Sequence, residues 1–203
     1  MLDFNFNENY VLEDDFVILS PLKMEHVNNL LEIANETDIW KYSFVKGDGI
    51  ANLTNYVQSA IDNRGAEKDY PFVVYDKTKD RFAGSTRFCE VVSSLKAIRL
   101  GYTWYGKEFR GTGVNKHCKY LLFEFAFEKM QAERIGLGAY IENERSIAAM
   151  ASVGCQKEGV LRGMFPATNG IGRTDAVLMS ILKNDWDNTV KNELKNKLVH
   201  SRL

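Results

Sequence analysis

The chain has 203 residues, 45% of them hydrophobic and 12% aromatic, enough for one domain with a substantial core and no need of disulfide or metal staples. Its 26 basic and 27 acidic residues give a formal net charge of −1, which favours neither a nucleic-acid nor an anionic-membrane partner. The three cysteines, Cys89, Cys118 and Cys155, are odd in number and far apart, so no disulfide framework, zinc site or other metal is expected. The opening MLDFNFNENY lacks the pattern of a secretory signal, and no stretch is apolar for long enough to span a bilayer; the expectation is a cytoplasmic protein without a membrane partner, as a monomer or a homodimer.

In chain order, Phe16–Leu19 reads as a short strand, and Lys23–Asn35 as a helix with Ser20 as its cap and Pro21 in its first turn. Trp40, Tyr42, Phe44 and Val45 form an aromatic loop, which either lines a pocket or packs over the core. Ala51–Ile61 is the next helix. Pro71–Tyr75, Arg81–Val92 and Ala97–Tyr105 are β-prone runs joined by short polar links, the pattern of an antiparallel meander. The strongest helix runs from about Gly113 to Met130, with Val114, Cys118, Leu121, Leu122 and Phe125 on one face. Ile135–Tyr140 reads as a strand, and Asn143–Ser152 as a helix ended by Gly154. Cys155–Leu161 and Asp175–Leu182 are the last two strands, with Pro166–Arg173 as their hairpin loop. This order gives an α+β domain with three α/β/α layers and a mixed, mainly antiparallel central sheet. A single domain is expected over residues 10–186, followed by a polar tail over 187–203 that is either a marginal helix or disordered.

Arg110-Gly111-Thr112-Gly113 falls between a strand and the longest helix. Gly111 and Gly113 permit a turn that a β-carbon would crowd, and the first amides of a helix lack internal partners. With the helix dipole they can hold an anion, Arg110 adding a cation and Thr112 a hydroxyl. An ordinary tight turn explains the same four residues. Neither GxGxxG nor a Gly-Lys-Ser/Thr sequence is present, so this is neither a dinucleotide fingerprint nor a P-loop.

The wider stretch GYTWYGKEFRGTGVNKHCKYLLFEFAFE, Gly101 to Glu128, resembles the cofactor motif of the GNAT N-acetyltransferases, especially the branch that includes ribosomal-protein N-terminal acetyltransferases. The family's loop reads (Gln/Arg)-x-x-Gly-x-(Gly/Ala); here Arg110 and Gly113 match, and Asn115 replaces the small sixth residue. Downstream, ERIGLGAYIENERSIAAMASVGCQKEGVLRG resembles the family's strand–Asn-x-x-Ser–helix segment, with Asn143 and Ser146 at the matching positions. The resemblance covers Phe16 to Trp186. It implies a GNAT-like acyl-CoA N-acyltransferase fold, acetyl-CoA as cosubstrate, and direct attack on its carbonyl by the neutral amine of a small molecule or a protein N-terminus. It further implies that Arg110, Gly111, Thr112, Gly113, Val114 and Asn115 hold the pyrophosphate. The backbone of Tyr102, Thr103 and Trp104 would pair with the pantetheine arm, which Asn143 would also contact. Catalytic candidates are Asn143 and Ser146 by the resemblance, and Glu90 as the local carboxylate near the end of the third strand, which either faces the cleft or is an ordinary solvent-facing strand-end residue.

Two departures stand out. Where many members carry a Tyr that protonates the departing thiolate, this chain has Met150, and a thioether has no proton to give. Where many members of the branch carry a Glu two residues before the Gly-Tyr of the family's fourth strand, this chain has Arg99. A catalytically silent acyl-CoA-binding or sensing module is therefore a competing expectation. Asp175 contacts an acceptor or pairs with Arg173. His117 is expected to be exposed or near the cofactor, and Cys118 and Cys155 are expected to pack.

Overall fold

The computed structural model describes residues 1–200. Eight strands form one sheet in the order β1-β2-β3-β4-β5-β6-β8-β7. They are β1 (Leu12–Glu13), β2 (Val17–Pro21), β3 (Asp69–Asp76), β4 (Arg81–Val92), β5 (Ala97–Tyr105), β6 (Arg134–Tyr140), β7 (Gln156–Pro166) and β8 (Arg173–Leu182). All neighbours are antiparallel except β5 and β6. In β3 the consecutive residues Phe72, Val73 and Val74 are all fully buried. Successive side chains point to opposite faces, so both faces of the sheet are covered, and the three-layer expectation holds. The helices are α1 (His26–Ala34), α2 (Ile50–Gly65), α3 (Val114–Glu124), α4 (Glu144–Ser152), α5 (Lys183–Asp185) and α6 (Lys191–His200).

Several local expectations needed correction. Ser20 and Pro21 do not start α1; both belong to β2, where Pro21 lies opposite Phe72, and Glu25 precedes the helix without capping it through its side chain. The long helix is not α-helical throughout. After Glu124 it widens into a π-turn over Phe125–Lys129, closed by Met130 N–H donating to Phe125 O at 3.0 Å. Phe125 meets Tyr10 at 4.8 Å and Phe88 at 6.3 Å between ring centres, so aromatic packing accompanies the irregular turn.

At the end of α4, Gly154 adopts φ +93°, with Cys155 N–H donating to Met150 O and Gly154 N–H to Ala151 O, the paired bonds of a Schellman ending. A β-carbon at Gly154 would collide with Val190, which brings the C-terminal helices close. Residues after Leu182 continue helically through α5, a π-turn over Trp186–Val190, and α6. Trp186 is fully buried against Phe127, and Val190, Leu194 and Leu198 are buried at helical spacing. Trp186 Nε1 and Lys191 Nζ both donate to Glu128. Residues 201–203 of the expected tail lie outside the described residues.

Candidate active site

The parallel neighbours β5 and β6 pair only through Ala97–Arg134, Ile98–Ile135 and Arg99–Gly136. Past that point β5 keeps β4 and β6 keeps β8, but the two lose each other. The seam opens into a cavity of about 640 Å³, with Leu100–Tyr105 on one wall and Leu137–Tyr140 on the other. A bulge sits on the first wall. Gly101 lies opposite Arg87 and Trp104 opposite Ser85, so Tyr102 and Thr103 face the single residue Thr86, and Tyr102 takes φ +50°. A bulge leaves an extra residue out of the ladder, and here it falls on the strand that borders the opening.

The glycine turn closes one end of the cavity. Gly113 caps α3 with φ +96°. Gly111, at φ +77°, has open space where a β-carbon would stand, so the backbone there is approachable. The first amides of α3, those of Val114 and Asn115, have no earlier turn to bond to. Val114 offers only this amide, because its side chain belongs to the core. Asn115 lines the cavity. Thr112 does not aim its hydroxyl proton at an anion: it donates to Phe109 O at 2.7 Å and closes the turn.

Arg110 is more engaged than its sequence position suggests. Its Nε donates to Tyr105 O at 2.9 Å, and its guanidinium meets Asp38 at 2.6 Å and Glu36 at 3.5 Å. Asp38 also accepts from Arg145 at 3.2 Å. The hydrogen bond from Arg110, helped by Arg145, holds the Asp38 carboxyl below its ordinary range. The loop after α1 is thus tied by Asp38 to both the glycine turn and α4.

Asn143 sits at the N-cap of α4, where its Oδ1 accepts from Ser146 N–H at 3.2 Å. The cap uses the oxygen, so only the side-chain amide nitrogen is left to donate. Asn143 and Ser146 both line the cavity, and Met150, one turn further on, lines it too. Glu90 also lies on the wall, but Arg99 Nη1 donates to both of its oxygens, at 3.1 and 3.3 Å. His117 is neither exposed nor in the cavity; it is buried, 2.6 Å from Asp14 and stacked on Phe16, pinning α3 to the start of β2. Asp175 does not pair with Arg173. It accepts from Gly163 N–H at 2.8 Å, while Arg173 binds the carbonyls of Gly163 and Met164. Cys118 and Cys155 are buried, as expected, and burial pushes both thiols up to about 12.

Two features escaped the sequence. The aromatic loop does line the cavity, but it does so with partners distant in the chain: Tyr42 packs on Tyr140 of β6 and Phe44 on both Tyr140 and Phe165 of β7, with ring centres 4.8–5.8 Å apart. The second is Lys119 of α3, on the cavity wall yet only 4% exposed. Its Nζ donates to Thr103 Oγ1 at 3.3 Å, and that hydroxyl lies 2.7 Å from Thr86 Oγ1. Among the described residues it forms no ion pair with a carboxylate, and desolvation lowers its pKa to about 8. The available signal was a lysine beside Cys118 on the apolar face of the helix.

Among the described residues, no cluster of three or more His, Cys, Asp or Glu is placed to hold a metal ion, and no helix is long and apolar enough to cross a membrane. Residues 17–156 match the acetyltransferase (GNAT) domain family. Over 93 residues the chain is 35% identical to the "Putative ribosomal N-acetyltransferase YdaF" of Bacillus subtilis strain 168, a match spanning 45% of this chain and 49%, about half, of that relative. Over 181 residues it is 24% identical to the "Probable N-acetyltransferase YjcK" of the same organism, covering 86% of this chain and 99% of the other. The crystal structure of a GCN5-related N-acetyltransferase from Brucella melitensis superposes with a TM-score of 0.85 at 20% identity, over 98% of this chain and 89% of that one. Motif, fold and family match coincide, and the chain belongs to the GNAT acetyltransferase family.

Proposed function

We propose that the chain is an acetyl-CoA-dependent N-acetyltransferase that transfers the acetyl group to a primary amine by direct attack. The observation that carries this reading is the opened β5–β6 seam, with the free amides of α3 at one end and Asn143 across from the bulge. An anionic pyrophosphate fits the Gly111–Asn115 amides, since nothing fills the space over Gly111. An extended arm fits the bulged edge of β5, where Tyr102, Thr103 and Trp104 offer backbone groups. Bound acetyl-CoA supplies the activated acetyl group as a thioester.

The residues of this chain then have three tasks. Asn143 and the bulge orient the carbonyl, so that much of the rate comes from positioning. Ser146 holds the first turn of α4 on Asn143 through its amide. Glu90, through a water molecule, takes the proton released by the attacking nitrogen; Arg99 fixes the carboxylate in place and moderates its charge. The aromatic wall of Tyr42, Phe44, Tyr140 and Phe165 lies on the far side of the seam and receives the acceptor. Both acceptor classes remain within the proposal, a small amine and a protein N-terminus. The partial match to a relative named for ribosomal acetylation supports the second.

One observation favours a second reading, a silent acyl-CoA-binding module: Met150 stands in the cavity where a proton-donating hydroxyl is expected. A thiol-release assay separates them. With acetyl-CoA and a panel of N-terminal peptides, polyamines, amino acids and amino sugars, the transferase releases thiol with at least one acceptor. Calorimetric binding of acetyl-CoA without release across the panel would establish the silent module.

A further inference from the structure

The reaction proposed above leaves one step without a residue. As the C–N bond forms and the C–S bond breaks, sulfur departs with the electron pair and needs a proton, and Met150 has none. We propose that Lys119 supplies this proton through the hydroxyl of Thr103. Thr103 gives its proton to sulfur and takes one from the Lys119 ammonium; Glu90 passes the proton it took from the acceptor nitrogen to the water of the cavity, and that water recharges the neutral Lys119 amine. No proton is created or lost. The inference rests on the acetyl-CoA reading.

The geometry is specific. Lys119 and Thr103 both line the opened seam, joined by a 3.3 Å hydrogen bond, and Thr103 belongs to the bulge that borders the thioester path. Lysine is almost never fully buried unless paired, yet the hydrogen bond of this one goes to a neutral hydroxyl, Thr103 Oγ1. The titratable groups around it are the thiols of Cys118 on its own helix, Cys155 after α4 and Cys89 on β4, each pushed up to about 12 by burial and therefore neutral. On the cavity wall Glu90 and Arg99 pair with each other, and Asp38 pairs with Arg110 and Arg145. An ammonium without a counter-charge, beside a cavity, favours any anion that forms there. Desolvation also brings its pKa to about 8, close to neutral pH, as an efficient proton donor requires. A solely structural role is a poor account, because an apolar side chain of similar length would fill the same space without the cost of desolvation.

Free CoA is the probe, since its thiol reports on the ammonium without any acceptor. The thiolate is titrated by its ultraviolet absorbance, free and bound, in wild type, Lys119→Met and Thr103→Val. Wild type should lower the pKa of the bound thiol by about one unit or more from its free value, a roughly tenfold shift in ionisation. Lys119→Met should return it to the free value, and Thr103→Val should retain part of the shift. CoA affinity in mildly acidic buffer should agree within about twofold, because a protonated thiol makes no demand on the charge. Equal titration in wild type and Lys119→Met, both binding CoA, overturns the Lys119 assignment and leaves the acetyl-CoA reading intact. Failure of wild type to bind CoA overturns both. If Lys119→Met does not fold, the wild-type titration still decides: a bound thiol that ionises no more readily than free CoA contradicts the assignment.

Discussion

The two halves of β5 lie in one strand and behave differently. Over Ala97–Arg99 the strand is paired with β6 at every residue and with β4 at Ala97 and Arg99, Glu90 and Val91 bulging opposite Ile98, and Ile98 is 2% exposed. From Leu100 onward it keeps β4 alone, acquires a bulge and a positive φ at Tyr102, and borders a cavity. The closed half keeps a neighbour on each side and fills its space. The open half gives up one ladder and sits beside a buried lysine with no acid. Residues of the first kind should therefore govern stability, and those of the second should govern binding and chemistry, some at a cost to stability.

The largest expected effect would come from the closed half. Ile98→Ala should lose about 2–5 kcal/mol of stability through the cavity it leaves, read by denaturant unfolding, with acetyl-CoA affinity of the folded fraction unchanged. A loss below about 1 kcal/mol would show that the seam is loosely packed throughout. The next comes from the open half with the opposite sign. Lys119→Met should stabilise the protein by about 1–3 kcal/mol at neutral pH while abolishing the thiol shift.

The pH dependence has a defined sign. The pKa of Lys119 in the fold, about 8, lies below its ordinary 10.5, so between these values the unfolded chain binds more protons. Wild-type stability should rise from this group as pH climbs from about 8 towards 10.5, and the advantage of Lys119→Met should shrink over the same window. Thermal melts of both proteins across that range check this; an advantage that grows with pH contradicts it.

Asn143→Ala should cost about 1 kcal/mol as a lost helix cap and slow turnover more than it weakens acetyl-CoA binding. Affinity and turnover both unchanged would remove Asn143 from the site. The smallest effect is expected at Asp38. Asp38→Asn frees Arg110 and Arg145 from a shared carboxylate, and acetyl-CoA should bind a few-fold more tightly, about 0.5–1 kcal/mol. Weaker binding by calorimetry would mean that Asp38 orders the loop more than it competes with the phosphates.

Local chemistry made much of this legible in the sequence. β4 and β5 have the bounds read from alternation, because each run is punctuated by polar turns on both sides. The glycine turn and the Gly154 ending of α4 were readable because a positive φ depends on a few adjacent residues, whereas the capping role of Asn143 emerged only in the structure. What escaped depends on distant pairs. Arg110 meets Glu36 from 74 positions away, and His117 meets Asp14 from 103, so neither partner could be inferred from the motif around it. Lys119 was hidden for a related reason: the groups that bury it without a carboxylate come from β4, β5 and the segment after α4. Trp186, Val190, Leu194 and Leu198 did carry a helical stripe, but among polar neighbours it was too sparse to announce that these residues dock on the core.

The central claim is that the opened seam and its glycine turn hold acetyl-CoA. Titration calorimetry of acetyl-CoA into wild type and Gly113→Val tests it most directly. Valine at a position with φ +96° is strained, and relief of that strain would shift the backbone amides at the start of α3. The account predicts saturable binding of one acetyl-CoA per wild-type chain and at least about tenfold weaker binding by the folded variant, equivalent to about 1.4 kcal/mol. No binding by wild type, or equal binding by both proteins, would contradict it.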